Sequence, residues 1–286
     1  MKKYLIFTVA SLLLMPSCLT KKEKPGELTR TSGEVKLVTL DPGHFHAALV
    51  QKNSYKQVAD EVYVYAPEGD DVQEHLNKIN GYNTRTDSPT KWKEVVYLGS
   101  DFLEKMLSEK KGNVMITAGN NGKKTEYIKQ TLMAGIHVLA DKPMAINSEN
   151  FGLLKECFDI ARGKGILLYD IMTERHEITT VLQRELSCIP AVYGEQLKGT
   201  PEEPAIVKES VHHFFKVVSG TPLKRPAWFF DVNQQGEGIV DVTTHLVDLV
   251  QWEAFPEQVI DYTQDIELLD ANRWTTSISP EEFKQV

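Results

Sequence analysis

Short apolar runs alternate with amphipathic stretches along the first part of the chain. The runs are rich in Val, Ile and Leu and have the length of strands, whereas the stretches between them repeat apolar residues at helical spacing. Strands that alternate with helices at this pace predict βαβ units and a parallel, doubly wound sheet. The predicted strands are residues 35–40, 61–66, 94–98, 113–119, 137–140 and 165–171.

The pattern changes after about residue 175. Segments of strand character there outnumber those of helical spacing, which predicts a second domain built differently from the first. The expected fold class is therefore α/β, with an N-terminal Rossmann-like doubly wound parallel sheet followed by an α+β domain with a mostly antiparallel sheet. The segments of strand character are 191–199, 205–218 and 258–269, and the helical ones are 176–186 and 240–253.

The beginning of the chain resembles a bacterial export signal. A basic start, MKK, precedes the apolar stretch 4–15, which is too short to span a membrane, and Pro16, Ser17 and Cys18 follow. A cysteine directly after an apolar stretch and a small residue resembles a lipobox. We therefore expect a periplasmic lipoprotein anchored to a membrane through Cys18. An ordinary signal peptide with an incidental cysteine is the alternative.

These patterns divide the chain into four parts. Residues 1–18 are expected to be the lipoprotein signal, 19–33 a polar tether, 34–172 the dinucleotide-binding type of sheet domain and 173–286 a substrate-binding domain. The second domain is expected to be incomplete, because the sequence ends without completing a sheet and would leave strand edges exposed.

Composition and charge narrow the possible partners. The chain has 286 residues, of which 25% are charged, and a net charge of −8, as is typical of a soluble globular protein. No basic face is visible as a run, so we expect no nucleic-acid partner. Beyond the lipobox, Cys157 and Cys188 alone do not define a disulfide framework.

Ligands of a doubly wound sheet bind beyond the carboxyl ends of its strands. The first predicted strand ends in a turn where a dinucleotide fingerprint would read G-x-G-x-x-G, and only Gly43 of those glycines is present. The turn is either a degenerate nucleotide site or an ordinary turn. His44 and His46 form an H-x-H pair that could chelate zinc, but residues two apart at a helix opening point away from each other. We therefore expect no metal.

Polar residues follow the second and fourth strands at the same edge. Glu68 is a candidate acceptor for the ribose hydroxyls of NAD, and Asp70 is either a second candidate or only a helix cap. Asn120 and Asn121 follow the fourth strand in a polar loop. These side chains would line one crevice.

Two further segments carry charged side chains suited to catalysis. The fifth strand ends in Asp141, Lys142 and Pro143, which places Lys142 at the ligand edge with its direction restricted by the proline. In the second domain, Asp241 and His245 are four residues apart and share one face if the segment is helical. On spacing alone, His245 is either a functional group or a buried histidine on a core helix.

Two of these segments resemble motifs of the Gfo/Idh/MocA family of NAD(P)-dependent oxidoreductases, which act mainly on sugars, polyols and related compounds. AGIHVLADKPMAI resembles the family's A-G-K-H-V-x-x-E-K-P-x-A segment, with Asp141 in place of the glutamate. GEGIVDVTTHLVDL is similar to its G-G-G-x-x-x-D-x-x-x-H-x-x-D segment. DPGHFHAALVQK after a lipobox resembles an exported branch found in Bacteroidetes. The resemblance covers about residue 34 to the end.

The resemblance implies a role for each matching residue. Lys142 would stabilise charge on the reacting oxygen, and His245 would be the acid/base group that accepts the hydroxyl proton. Asp241 would orient the substrate or the histidine. Lys124 departs from the pattern, since it stands where the family's T-P-N-x-x-H loop has histidine. The residues expected to bind the cofactor are Gly43, His44, Phe45, His46, Glu68, Asn120, Asn121, Asp141, Lys142 and Pro143.

The expected function is hydride transfer between NAD and a hydroxyl-bearing carbon of a sugar or glycoside. NADP is disfavoured because acidic residues and no arginine follow the second strand. Outside the cytoplasm free NAD is scarce, so the cofactor would stay bound and be recycled, either between two sugars or in an oxidation that permits elimination beside a glycosidic bond. The alternative is a non-catalytic carbohydrate-binding lipoprotein with the same fold. We also expect a homo-oligomer formed through the second-domain sheet.

Overall fold

The structure of the protein is a computed structural model. The predicted export signal with Cys18, and most of the predicted tether, lie outside the residues it describes. None of the helices in the described ranges combines the length and the apolar character needed to cross a membrane. The described residues are 32–171, 174–210, 215–218, 221–223 and 225–286.

A six-stranded parallel sheet forms the first part of the described chain. The prediction of a parallel sheet from the alternating pattern is confirmed. The strands are β1 (Leu37–Leu40), β2 (Glu61–Ala66), β3 (Lys93–Leu98), β4 (Val114–Thr117), β5 (His137–Ala140) and β6 (Leu168–Asp170).

The order of the strands is β3-β2-β1-β4-β5-β6, and every neighbouring pair is parallel. The direction in which the sheet grows therefore reverses between β1 and β4. This is the position at which doubly wound sheets open a ligand crevice. Every residue of β1 and β4 is buried, which explains why both strands read as continuous apolar runs.

Five helices connect these strands. The last of them, α5 (Ser148–Lys164), begins where the Asn147 side chain accepts a hydrogen bond from the Asn150 backbone N–H at 2.8 Å. It ends at Gly165, whose φ of 66° lies in the left-handed region. The other helices are α1 (His46–Leu49), α2 (Asp70–Thr84), α3 (Phe102–Glu109) and α4 (Asn121–Met133).

Apolar layers on both faces hold the sheet rigid. On one face Val38 and Met115 pack with Leu132 of α4, and on the other Ile116 packs with Ile79 of α2. Burying one such side chain contributes about 1.5–3 kcal/mol. The loops at the carboxyl edge are therefore anchored on a well-packed base.

The second part of the chain contains short helices and a small antiparallel sheet. The helices predicted from periodicity are confirmed as α6 (Ile178–Ser187) and as the pair α9 (Gly238–Asp241) and α10 (Thr243–Ala254). The sheet pairs β7 (Lys216–Val218) with β8 (Thr221–Leu223). The remaining elements are α7 (Pro190–Tyr193), α8 (Val232–Gln235), α11 (Pro280–Gln285) and the 3₁₀ helices Glu174–His176 and Ala227–Phe230.

The strands predicted at 191–199 and 258–269 are wrong. The first segment begins inside α7, and the second contains no strand. Alternating apolar residues form a strand only when a neighbouring strand or layer covers them, and Val259 and Leu268 are 97% and 78% exposed. The antiparallel pairing is confirmed, but within the described residues it is a two-stranded ribbon.

Candidate active site

Lys142 and Asp241 meet at the carboxyl edge of the sheet. Pairing of β5 with β4 continues beyond the strand, because the Asp141 backbone N–H donates to the Thr117 carbonyl at 2.9 Å. The next residue, Lys142, donates from Nζ to Asp241 Oδ1 at 2.8 Å and to the Asp241 backbone carbonyl at 2.7 Å. Each side chain is only 11% exposed. The ion pair therefore joins the parallel sheet to the second part of the chain.

His245 lies on a different helix from Asp241. The predicted single helical face is interrupted at Val242, where α9 ends and α10 begins. His245 Nδ1 lies 2.7 Å from Glu174 Oε2, and the two side chains are 16% and 35% exposed. His245 is therefore partly exposed beside a carboxylate, and it is not a fully buried histidine of the core. The distance makes the two groups an ion pair once the ring is protonated, although Nδ1 does not meet the geometry of a hydrogen bond.

Asp141 binds both histidines of the β1 turn. The Nδ1–H groups of His44 and His46 donate to its two carboxylate oxygens, each at 2.9 Å. The prediction that these rings point apart is wrong, because α1 begins at His46 and His44 precedes it. Burial alone would raise the pKa of Asp141, but the hydrogen bonds from the imidazoles outweigh it and hold that pKa well below its usual range. Burial lowers the pKa of His44 to about 4, so this ring is neutral at pH 7.

The same trio is a group whose donor atoms could hold a metal ion. One ligand atom from each of His44, His46 and Asp141 lies within 4.8 Å of the others. However, the carboxylate already accepts a hydrogen bond from each ring, and the positive charges of Lys124 and Lys142 act on the trio. A divalent cation would add to that positive charge. The hydrogen bonds and the nearby lysine charges therefore disfavour a metal ion at this trio.

Lys124 lies beneath the turn that carries Lys142. Its side chain is completely buried, and Nζ donates to Asn121 Oδ1 at 2.6 Å, to the Asp141 carbonyl at 3.0 Å and to the Pro143 carbonyl at 3.1 Å. Burial lowers the pKa of Lys124 to about 8. The structure thus gives Asn121, expected to line a cofactor, a buried position among protein groups.

Two glycines bring the β1 turn and the β4 loop into contact. The Gly43 backbone N–H donates to the Ala118 carbonyl at 2.7 Å. Gly119 has a φ of 95°, and a Cβ on it would lie 2.6 Å from Gly43 Cα. A glycine pair at the point where the sheet reverses is the backbone setting that a dinucleotide diphosphate requires. In this respect the edge fits such a cofactor.

An aromatic side chain from the second part covers this glycine turn. A Cβ on Gly43 would lie 2.9 Å from Trp228 Cζ2 and 3.3 Å from Asp71 Oδ2. Trp228 Nε1–H donates to the same Asp71 oxygen at 2.8 Å. Asp71, rather than the exposed Glu68, is thus the carboxylate that faces the turn.

The Asn120 amide is held by the protein. Asn120 Nδ2 donates to Asp41 Oδ2 at 2.6 Å, and the Tyr127 hydroxyl donates to the same oxygen at 3.0 Å. Asn120 and Asp41 both have a φ of 46°, in the left-handed region that asparagine and aspartate adopt most readily among non-glycine residues. The contact fixes the β4 loop against the β1 turn.

Basic side chains of the second part add positive charge near the Lys142–Asp241 pair. Burial lowers the pKa of Lys216, and the neighbouring charges of Arg225 and Lys142 lower it further. Lys216 Nζ also lies 6.0 Å from the centre of the Phe45 ring in the β1 turn. The site therefore suits an electron-rich oxygen at its centre.

Several of these residues carry no motif that sequence reasoning could use. Lys216 reaches the site from β7 and Trp228 from a 3₁₀ helix, and the position of both elements depends on long-range packing. Glu174 lies in a single 3₁₀ turn and is recognisable only beside His245. Lys124 did give a signal, because it replaces the histidine of the family loop, but its contacts follow only from the fold.

Two family models match the sequence in tandem. "Oxidoreductase family, NAD-binding Rossmann fold" matches residues 44–169, and "Putative oxidoreductase C terminal domain" matches residues 182–286. The curated proteins contain no significant match to the sequence.

Solved structures extend the likeness. The crystal structure of a "putative oxidoreductase" from Parabacteroides merdae ATCC 43184 is 77% identical, with a TM-score of 0.86 over 90% of this chain and 59% of that one. A protein of the same description from Thermotoga maritima has 15% identity and a TM-score of 0.54, over 77% of this chain and 59% of that one. GenD2 from gentamicin A biosynthesis, in complex with NAD, has 15% identity and a TM-score of 0.51, over 80% of this chain and 57% of that one.

These structures agree with the fold described above. At 15% identity the second and third show a shared fold alone. The chain spans 59% of the length of its Parabacteroides relative. The sequence therefore matches the NAD-binding Rossmann domain of the Gfo/Idh/MocA oxidoreductases, followed by an oxidoreductase C-terminal domain.

Proposed function

We propose that the protein is an NAD-dependent oxidoreductase that acts on a hydroxyl-bearing carbon of a sugar or glycoside. The observation that carries the proposal is the pair formed by Lys142 and Asp241, with Nζ 2.8 Å from Oδ1. It lies at the carboxyl edge of a sheet of the NAD-binding type, where substrate and cofactor meet in doubly wound folds. Neither side chain is sealed in the core, since each keeps 11% exposure.

The side chains suit the oxidation of a hydroxyl group. Lys142 Nζ donates a hydrogen bond to the substrate oxygen and stabilises the negative charge that develops there. His245 accepts the hydroxyl proton, and the Glu174 carboxylate, 2.7 Å from Nδ1, stabilises the positive charge that the ring then carries. Asp241 holds the ammonium of Lys142 in place. A bound nicotinamide would supply the hydride chemistry itself.

The cofactor would lie on the glycine turn. Gly43 and Gly119 supply the close backbone approach, and Trp228 would have to leave its place over Gly43. Acidic residues, among them Glu68 and Asp71, follow β2, and no arginine stands among residues 67–84, which disfavours the extra phosphate of NADP.

The cofactor would be retained and recycled if the protein is exported, as we propose from the start of the sequence. The hydride that NAD takes from one hydroxyl-bearing carbon would be returned to a carbonyl carbon, either on a second sugar or on the same sugar after elimination. Replacing Cys18 with alanine should abolish palmitate labelling and detergent partitioning in the native host. Equal labelling of the variant would contradict lipidation at this residue.

The test of the proposed activity begins with the full-length protein and its bound nucleotide. Nucleotide released by denaturation should co-elute with NAD, and a 2′-phosphorylated nucleotide would contradict the proposal of NAD. Bound NAD should then be reduced when one of a panel of monosaccharides, myo-inositol and methyl glycosides is added, followed by its ultraviolet absorbance.

Variants of the proposed catalytic groups sharpen this test. Lys142→Met and His245→Gln should each lower single-turnover reduction by about 10²–10⁴-fold, because each removes a charge-stabilising donor or a general base. Lys111→Met is the matched control, since this exposed lysine precedes β4 at the opposite edge of the sheet. Bound nucleotide should persist in all three variants. Normal turnover by His245→Gln would contradict its role as the base.

A further inference from the structure

Lys124 is a fully buried ammonium group with a complete set of acceptors. It has no exposed surface, and its three N–H donors meet three oxygens at 2.6, 3.0 and 3.1 Å. A neutral amine offers only two N–H donors, so this set of contacts requires the protonated form. The carboxylates of Asp141 and Asp241 favour that charge, whereas burial and the positive charge of Lys142 oppose it.

Two of the acceptors are the carbonyls on either side of Lys142. Lys124 binds the carbonyl of Asp141 before it and that of Pro143 after it. The next residue of α4 continues the contact, because the Thr125 hydroxyl donates to the Met144 carbonyl at 2.6 Å. The first turns of α4 therefore fix the backbone from which the Lys142 side chain projects.

The third acceptor connects Lys124 to the segment that carries Asp241. Asn121 accepts from Lys124 through Oδ1, and its Nδ2 donates to the Gln235 carbonyl at 2.9 Å and to Gln235 Oε1 at 3.1 Å. The following residue, Gly236, packs so closely that an added Cβ would lie 2.9 Å from Ile146 Cγ2. One buried chain of hydrogen bonds thus reaches both sides of the Lys142–Asp241 pair.

We propose that Lys124 is the positioning residue of the site, which sets the geometry of Lys142 against Asp241: it binds the backbone around Lys142 directly and, through Asn121, the segment that leads to Asp241. The proposal rests on the proposed function, to which it adds a residue that touches neither substrate nor cofactor. It also accounts for the lysine at a loop position where the family usually has histidine. A long side chain is needed to reach the carbonyls of both Asp141 and Pro143 from α4.

The experiment compares Lys124→Met with Lys129→Met in the full chain. Lys129 lies on the same helix, but its ammonium binds the exposed carboxylate of Glu156, far from the turn after β5. Hydrogen exchange, followed by mass spectrometry, should rise in peptides 141–146 and 235–241 of Lys124→Met and stay unchanged in peptides of β1 and β2. The control should match the wild type. Where turnover is measured, kcat should fall by about 10- to 100-fold with little change in KM, because a shift of about 1 Å in a catalytic group has that effect.

Thr125→Val provides a second variant if Lys124→Met does not fold. It removes the hydroxyl donated to Met144 and should raise exchange in peptide 141–146 alone, since the Asn121–Gln235 contact remains. Wild-type exchange in both peptides of Lys124→Met, or a uniform rise across the sheet, would overturn the positioning role. Hydrogen exchange can be measured on a protein that shows no turnover. An inactive wild type would therefore count against the proposed function, while the exchange data would still decide the role of Lys124.

Discussion

Gly119→Ala is the substitution that most directly tests how the ligand edge is built. A Cβ at this position would lie 2.6 Å from Gly43 Cα, 2.7 Å from Gly43 C and 2.9 Å from Gly43 N. Because these are backbone atoms of the neighbouring turn, no side chain can rotate to make room. The residue also has a φ of 95°, which an alanine adopts only under strain.

The cost has two parts. A non-glycine residue in a sparsely populated backbone region costs about 1–3 kcal/mol. Overpacking a close contact costs about another 1–3 kcal/mol. We therefore expect Gly119→Ala to lower the free energy of unfolding by about 2–6 kcal/mol, a large share of the stability of a typical domain.

Two other glycines separate these parts. Gly135 has a φ of 83° with no atom within 4 Å of an added Cβ, so Gly135→Ala should show the backbone strain alone. Gly152 lies inside α5 with equally open space, and Gly152→Ala should stabilise the protein by about 0.5–1 kcal/mol through helix propensity. The expected order of stability is Gly152→Ala, wild type, Gly135→Ala and Gly119→Ala.

Urea unfolding followed by circular dichroism measures this order from the midpoints, provided that the dependence on urea is similar in all four proteins. The difference in the free energy of unfolding between Gly119→Ala and Gly135→Ala measures the contact of the β1 turn with the β4 loop. Equal destabilisation by the two substitutions would refute the close approach of Gly119 to Gly43, and with it the compact glycine pair at this edge.

Three further predictions concern buried groups. Burial raises the pKa of Glu94 to about 7, so the folded state loses stability as the pH rises from 4.5 to 7. Glu94→Gln should therefore raise the free energy of unfolding by about 1–3 kcal/mol at pH 8 and change it little at pH 4, as measured by urea unfolding. Burial lowers the pKa of His75 to about 4, so the stability of the folded state falls as the pH drops from 6.5 to 4. His75→Leu should reduce the dependence of the melting temperature on pH in this range, and an unchanged dependence would contradict the prediction. Trp228→Ala should uncover Gly43 and lower the Kd for NAD measured by calorimetry. The decrease is roughly tenfold if the conformer in which Trp228 covers Gly43 makes up about 90% of the population. Weaker binding would show instead that the indole supports the nucleotide.

The parallel sheet was predictable because its strands are buried on both faces. A strand such as β4, VMIT, needs no alternation, and its apolar run is recognisable without knowledge of its neighbours. The second part of the chain lacks this property. Residues 258–269 have strand-like composition but no covering layer in the described structure, and a single sequence does not reveal whether a partner strand exists.

The site was predictable where chemistry is local and unpredictable where it depends on packing. The turn after β5 predicted that Lys142 lies at the ligand edge, and the role of Asp241 was implied by the resemblance of the second motif to the family's segment. The prediction that His44 and His46 point apart was wrong because it placed both residues in the helix, whereas α1 begins at His46, two residues after His44. The buried environment of Asn121 depends on Gln235, more than a hundred residues away, and no local pattern reports that contact.

The position of the Lys142–Asp241 pair is better explained by chemistry than by stability. Two charges that are each 11% exposed have lost most of their hydration, and their mutual attraction often does no more than offset that loss. Apolar side chains of similar size would serve folding as well or better. What such side chains could not provide is an ammonium group held in one direction, with its hydrogen bonds divided between a carboxylate and a carbonyl. The same reasoning applies to Lys124, a second and fully buried ammonium group, which donates two hydrogen bonds to the carbonyls that flank Lys142 and a third to Asn121. Two desolvated lysines beside the end of β5 are therefore the expected signature of a site that must present a positive charge, in a fixed place, to a reacting oxygen.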